Sequence, residues 1–175
     1  MMKTLAAGLM AATALLLTAH PARAQSDAEV QEVIKEFEKG DPGMQAWFRE
    51  AYGYAVFPSV GKGAIVVGGA HGKGLVYERG VLIGKTSLTA VTVGFQMGGQ
   101  AFREVIFFKD KTALDDFTRG NFELAAGVSA VALEAGASKD LGYNKGVAVM
   151  TATKGGLMVE AAVGGQKFTF EKIEK

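Results

Sequence analysis

Residues 60–74 read VGKGAIVVGGAHGKG, with glycine at 61, 63, 68, 69, 72 and 74 and a lysine beside a glycine twice. Such a stretch either wraps a phosphate or shapes tight turns and bent strands, and the fold class follows from that choice. A Walker A loop needs Gly, four residues, then Gly-Lys-Ser/Thr. The nearest match, Gly80 to Thr86, is one residue short, has Arg79 where the first Gly belongs, and lacks a helix signal behind Thr86 to present its amides. In the quoted stretch Lys73 is followed by Gly74, and the dinucleotide pattern would also need a helix behind it, which is missing here. Nucleotide chemistry is therefore set aside. The glycines read as turn formers and as positions where backbones approach closely.

The sequence on either side supports this. From Ala64 onward, short runs rich in Val, Ile, Thr and Phe are punctuated by Gly, the pattern of strands and turns. Val91, Val93, Phe95 and Met97 alternate with Thr92, Gly94 and Gln96, and Phe168 and Phe170 alternate with Lys167, Thr169 and Glu171. AFREVIFF (101–108) is apolar on both faces, as a central strand is. One helix interrupts, with Thr112 and Asp115 as caps, Leu114 and Phe117 facing inward and Arg119-Gly120 at its end. Residues 122–136 mix helix-forming Ala with interior Gly and lean towards strand. Turns this short join antiparallel strands, because a parallel crossover needs a dozen or more residues.

Two short helices precede the strands. Ser26 and Glu29 fit a capping box, Val30, Val33, Ile34 and Phe37 form one apolar stripe, and Lys39-Gly40 closes the helix. Asp41-Pro42 opens the second as N-cap and first helical residue, with Met44, Trp47, Phe48 and Ala51 as its stripe. The expected fold is α+β: short N-terminal helices, then a Gly-rich, strongly bent antiparallel sheet or partial barrel with one inserted helix.

The chain opens MMKTLAAGLMAATALLLTAHPARAQS. Lys3, the apolar run to Leu17 and Ala22-Arg23-Ala24 form a signal peptide over residues 1–24, and the run falls short of the ~20 residues that span a bilayer. Residues 25–175 then make one exported domain, periplasmic or secreted. Removing Lys3 and Arg23 takes the 19 Lys and Arg to two fewer, against 18 Asp and Glu. Near-neutral charge does not suit nucleic acid. With no Cys, and His71 the sole histidine after Gln25, a Cys or multi-His metal site is excluded and no cofactor is expected. Asp115 and Asp116 are neighbours on a helix and point apart, and no serine sits in G-x-S-x-G, so no common hydrolase site is present.

AYGYAVFPSVGKGAIVVGGAHGKGLVY (51–77) resembles the opening signature of the SYLF domain family. SLTAVTVGFQMGGQAFREVIFF (87–108) and ATKGGLMVEAAVGGQKF (152–168) are similar to its later blocks, in the same order. The last block departs where Ala152-Thr153 replaces a Ser and Gly156 adds a small residue. The resemblance implies a non-enzymatic protein that binds phospholipid headgroups at a membrane surface, as exported bacterial members do. Some fungal members also bind actin filaments, which does not suit an exported chain. Membrane contact in the family is associated with an N-terminal amphipathic helix, but Glu29, Glu32, Glu36 and Glu38 make the first helix here acidic and repelled by anionic headgroups. The second helix, with Trp47, Phe48 and Arg49, is the better candidate. The Gly-rich turns offer a second site, with Lys62, His71 and Lys73 projecting from them, and Lys154 a third. The competing reading is an interaction module that binds another envelope protein.

Overall fold

Residues 22–61, 70–90, 101–125, 128–153 and 165–174 are described by the computed structural model. Helices α1 (Ala22–Gly40) and α2 (Met44–Glu50) lead into strands β1 (Gly53–Gly61), β2 (Ala70–Glu78), β3 (Val81–Ala90) and β4 (Phe102–Phe108). Helix α3 (Lys111–Thr118), the two-residue strand β5 (Val131–Ala132), a 3-10 turn (Ala137–Lys139), β6 (Val147–Thr153) and β7 (Gln166–Lys172) complete the chain. The strands form one seven-stranded sheet in the order β5-β6-β4-β1-β2-β3-β7, antiparallel except for the parallel β5–β6 pair.

The sheet is strongly bent. Gln166 Nε2 on β7 donates to Glu104 Oε2 on β4 at 2.9 Å, although β1, β2 and β3 lie between these strands. Four steps across a flat sheet would separate them by about 19 Å, with their side chains parallel. Only a curled sheet lets the two side chains meet across its concave side. Phe57 on β1 and Phe168 on β7 likewise approach to 5.7 Å between ring centroids. The bend is built in part at Phe57-Pro58, where the pairing of β1 slips against both neighbours. Phe57 and Val60, three residues apart, therefore both enter the concave core.

Each face of the sheet has its own core. On the concave side Phe57, Leu88, Phe102, Ile106, Phe108 and Phe168 pack with Leu114 and Phe117 of α3. On the convex side the α1 stripe (Val30, Val33, Ile34, Phe37) and Met44 cover Val56, Leu75, Tyr77, Val105, Phe107 and Met150. Tyr77 donates to Asp27 at 2.8 Å and Arg103 pairs with Glu36 at 3.0 Å, which pins α1 at two points along its length. β4 is fully buried on both faces at Phe102, Val105, Ile106, Phe107 and Phe108, as its apolar run requires.

The segment after α3 bridges the two edges of the sheet. Phe122 and Leu124 exchange backbone hydrogen bonds with Phe168 and Gln166 on the β7 edge, while Leu133 N donates to Thr151 O on the β6 side at 2.8 Å. The sheet does not close into a barrel. Of the strand expected over 122–136, only Val131–Ala132 and the single-residue bridges at Glu123 and Ser129 form among the described residues. Gly136, with φ of 86°, turns the chain out of that path.

Three capping assignments differ from expectation. α1 begins at Ala22, so Ser26 lies inside it; Ala and Arg favour helix and carry it back past the expected cap. α2 begins at Met44, two residues later than expected, because Asp41 caps the preceding turn through its contact with Gly43 N at 3.0 Å. Its other oxygen accepts from Ser138 N at 2.6 Å, a tie across 97 positions. For α3 the cap is Asp110, accepting from Ala113 N at 3.0 Å, so Thr112 and Asp115 are interior to the helix. Leu114 and Phe117 do face inward, and Arg119-Gly120 does end the helix, with Gly120 at φ 85°. The strand expected around Val91–Met97 lies outside the described residues.

Candidate functional site

The ends of β1, β3 and β6 and the starts of β2, β4 and β7 all lie at one end of the sheet. Each glycine-rich connection noted in the sequence leaves and re-enters the sheet there. Lys62 and Lys154 fall in those connections, outside the described residues.

His71 and Lys73 are not at turn tips. Both lie within β2, paired to β1 on one side and β3 on the other. Their side chains share the convex face with Leu75 and Tyr77, whereas Gly72 and Gly74 face the concave side. A Cβ on Gly74 would stand 2.5 Å from Val56 O and 2.8 Å from the Phe57 ring, so glycine is required where the slipped β1 backbone presses on β2. The glycines of this stretch that are described thus serve strand packing.

The register places polar side chains beside the two cations in cross-strand rows. One row runs Ser59, Lys73, Ser87, Thr169; the next runs His71, Thr89, Lys167. Ser87 Oγ and Thr169 Oγ1 share a hydrogen bond of 2.6 Å, and His71 Nδ1 lies 3.4 Å from Thr89 Oγ1. Lys73 and Lys167 are exposed, with Lys167 held loosely to Glu123 at 3.9 Å. This face offers two ammonium groups and a row of hydroxyls, which suits the oxygens of a phosphate ester. Sequence reading found His71 and Lys73. It missed Ser59, Ser87, Thr89, Lys167 and Thr169, because partners across strands are set by register, which no local pattern reveals.

Trp47, Phe48 and Arg49 are elsewhere. Trp47 Nε1 donates to Ser138 O at 3.2 Å, and its ring packs on Phe107 and Tyr143 at 5.5 and 5.0 Å. Phe48 meets Tyr54 and Phe107 edge-on at 5.2 and 5.0 Å. Arg49 is exposed and pairs with Glu50 at 2.9 Å. Their partners Tyr54 and Phe107 belong to the far end of β1 and β4. Tyr77, opposite Tyr54, is six residues along β2 from His71, about 20 Å away. The two candidate lipid contacts are therefore separate surfaces.

Two buried acids behave differently. The side chain and then the amide of Ser138, bonded to Asp41, hold its carboxyl below the ordinary range against the cost of burial. Glu104 is fully buried, and desolvation pushes it up to about 8 despite the hydrogen bond from Gln166. Asp115 and Asp116 each form an ion pair within α3 or at its end, with Lys111 at 2.6 Å and Arg119 at 2.9 Å. Among the described residues no group of three or more His, Cys, Asp or Glu is placed to hold a metal, and no helix is long and apolar enough to cross a membrane.

Helices on the convex face and a plugged, curled sheet with a polar end define an α+β binding module. Residues 89–174 match the Ysc84 (SYLF) family model, described as "Las17-binding protein actin regulator". A curated relative, "Beta cell expansion factor A" of Aeromonas veronii, is 31% identical over 134 residues, covering 75% of this chain and 50% of that protein. The chain belongs to the SYLF domain family, a family of non-enzymatic binding domains. It spans about half the length of the curated relative it matches.

Proposed function

We propose that the protein is a non-enzymatic phospholipid-binding module of the bacterial envelope, exported by the signal peptide at 1–24. It meets anionic headgroups at the glycine-rich end of its sheet. The observation that carries this reading is the pair of cross-strand rows in which Lys73, His71 and Lys167 stand among Ser59, Ser87, Thr89 and Thr169. Lys62 and Lys154, in the connections at the same end, extend the proposed contact. Family membership supports a binding role and the lipid reading that the sequence blocks imply.

The test is sedimentation of the protein with vesicles of defined headgroup. Binding to anionic vesicles that weakens on Lys73→Gln supports the reading, and no binding to any composition ends it. A second reading, an envelope protein as partner, draws on the family description, which names a protein that is bound. Absence of binding to vesicles of every composition would favour it. Export is checked by the mass of the chain from the producing cell, which should start at or within a residue or two of Gln25.

A further inference from the structure

The concave core contains a polar cluster that the proposed function does not use. Glu104 is 0% exposed, in the middle of the most buried strand, with Phe57 opposite on β1 and Thr151 opposite on β6. Gln166 Nε2 satisfies Oε2, but Glu104 Oε1, Thr151 Oγ1 and Gln166 Oε1 have no hydrogen-bond partner, and all three residues are almost wholly buried. Among the described residues no cation answers the carboxyl. The described residues facing the concave side are Ala55, Phe57 and Val60 of β1, Ala70 and Val76 of β2, Leu88 and Ala90 of β3, and Val147 and Val149 of β6. Phe102, Ile106 and Phe108 of β4, Phe168 of β7, Ala113, Leu114 and Phe117 of α3, and Leu124 and Ala130 belong to the same lining, and the titratable group packed against it besides Glu104 is Tyr52, whose hydroxyl is held by Glu78. Arg103, next along β4, points to the other face and pairs with Glu36.

A carboxylate in this position would keep one good hydrogen bond and lose its hydration everywhere else. The neutral acid instead turns one carboxyl oxygen into a donor, in a core where the Thr151 hydroxyl on the paired strand and the Gln166 amide oxygen lack partners. Burial favours that neutral form, in line with the raised Glu104 value of about 8.

We propose that Glu104 and Gln166 form a proton-dependent latch: the neutral carboxyl ties β7 across the interior to β4 and holds the sheet curled, and ionisation releases the tie. The charged group then requires water, which reaches it by separation of β7 from β4 at the glycine-rich end, where Gln166 begins its strand. Removing the proton opens the curl; restoring it closes the curl. The latch stands on the packing alone and is independent of what the protein binds.

The test is amide hydrogen exchange of the intact chain, corrected for intrinsic rates, from about pH 6 to about pH 9. Opening that exposes Glu104 returns its carboxyl from about 8 to the ordinary value of 4.5. Protection of the amides that tie β7 to the segment after α3, Leu124 N on Gln166 O and Phe168 N on Phe122 O, should therefore fall on the order of a hundredfold over that range. Glu104→Gln, which keeps the shape and cannot ionise, should abolish the fall. Equal pH dependence in both proteins, or none in the wild type, overturns the latch. Should Glu104→Gln not fold, the infrared carbonyl band of a protonated carboxyl decides on the wild type. Persistence at neutral pH and loss near pH 8 supports the latch, and loss in the ordinary carboxylate range overturns it.

Discussion

Replacing Gly74 with alanine tests whether the glycines serve the bent sheet. The new Cβ would lie 2.5 Å from Val56 O and 2.8 and 3.1 Å from two carbons of the Phe57 ring. Val56 and Phe57 are both fully buried, and the first contact is with backbone, so neither can yield by a rotamer change. Forcing a methyl into such a site costs about 1–3 kcal/mol. Loss of glycine freedom in the unfolded chain returns about 0.4–1 kcal/mol. The net expectation is destabilisation by about 1–2 kcal/mol. Gly142→Ala is the control: nothing lies within 4 Å of its Cβ and its φ is not in the left-handed region. That variant should be neutral or more stable by up to about 1 kcal/mol. Urea unfolding followed by far-ultraviolet circular dichroism reads both. With a slope of about 1–3 kcal/mol per molar, Gly74→Ala should lower the midpoint by roughly 1 M while Gly142→Ala leaves it level or raised. A Gly74→Ala protein as stable as the wild type would refute the close-approach reading and return the stretch to consideration as a ligand-binding loop.

Other outcomes follow from the convex side. Asp41→Ala removes the acceptor for Gly43 N and Ser138 N and should cost about 2–4 kcal/mol in thermal or urea unfolding, since both bonds are to a charged group. Because the native Asp41 carboxyl is held low, its contribution is present above the ordinary aspartate range and is lost as pH falls through the native value. Asp41→Asn should flatten that acid limb, and an unchanged limb would contradict it. Trp47→Ala should cost about 2–3 kcal/mol by loss of its packing on Phe107 and Tyr143, at or below the low end for a large aromatic because the side chain is only half-buried. Trp47 is the single tryptophan, so its emission should not move when vesicles bind; a blue shift would transfer the contact to α2.

Much of this fold is legible where a pattern is local. The double-faced apolar run of β4, the alternation in β7 and the inward Leu114 and Phe117 of α3 could each be read from a few consecutive residues. Glycine spacing correctly implied bending, yet it could not show that the bend is assisted by a slip at Phe57-Pro58. Nor could it show that Lys73 is a strand residue held between β1 and β3. Features joined across long separations were hidden. Asp41 reads as a helix cap, but Ser138 completes its role; Glu104 sits in an apolar run, and only curling brings Gln166 to it. The hydroxyls of the candidate site were visible one by one, but register alone assembles them.

The chain has no cysteine, so single-cysteine labelling addresses the lipid contact without background. Thr169 and Arg49 are both exposed and stand on the two separate candidate surfaces, and Thr169→Cys leaves Lys73 in place. Thr169→Cys and Arg49→Cys would each carry a polarity-sensitive dye and be titrated with anionic vesicles. The account predicts that the dye at position 169 shifts to the blue and the dye at 49 does not. A shift at 49 with 169 silent, or no shift at either on vesicles that the protein sediments with, would contradict the placement of the site.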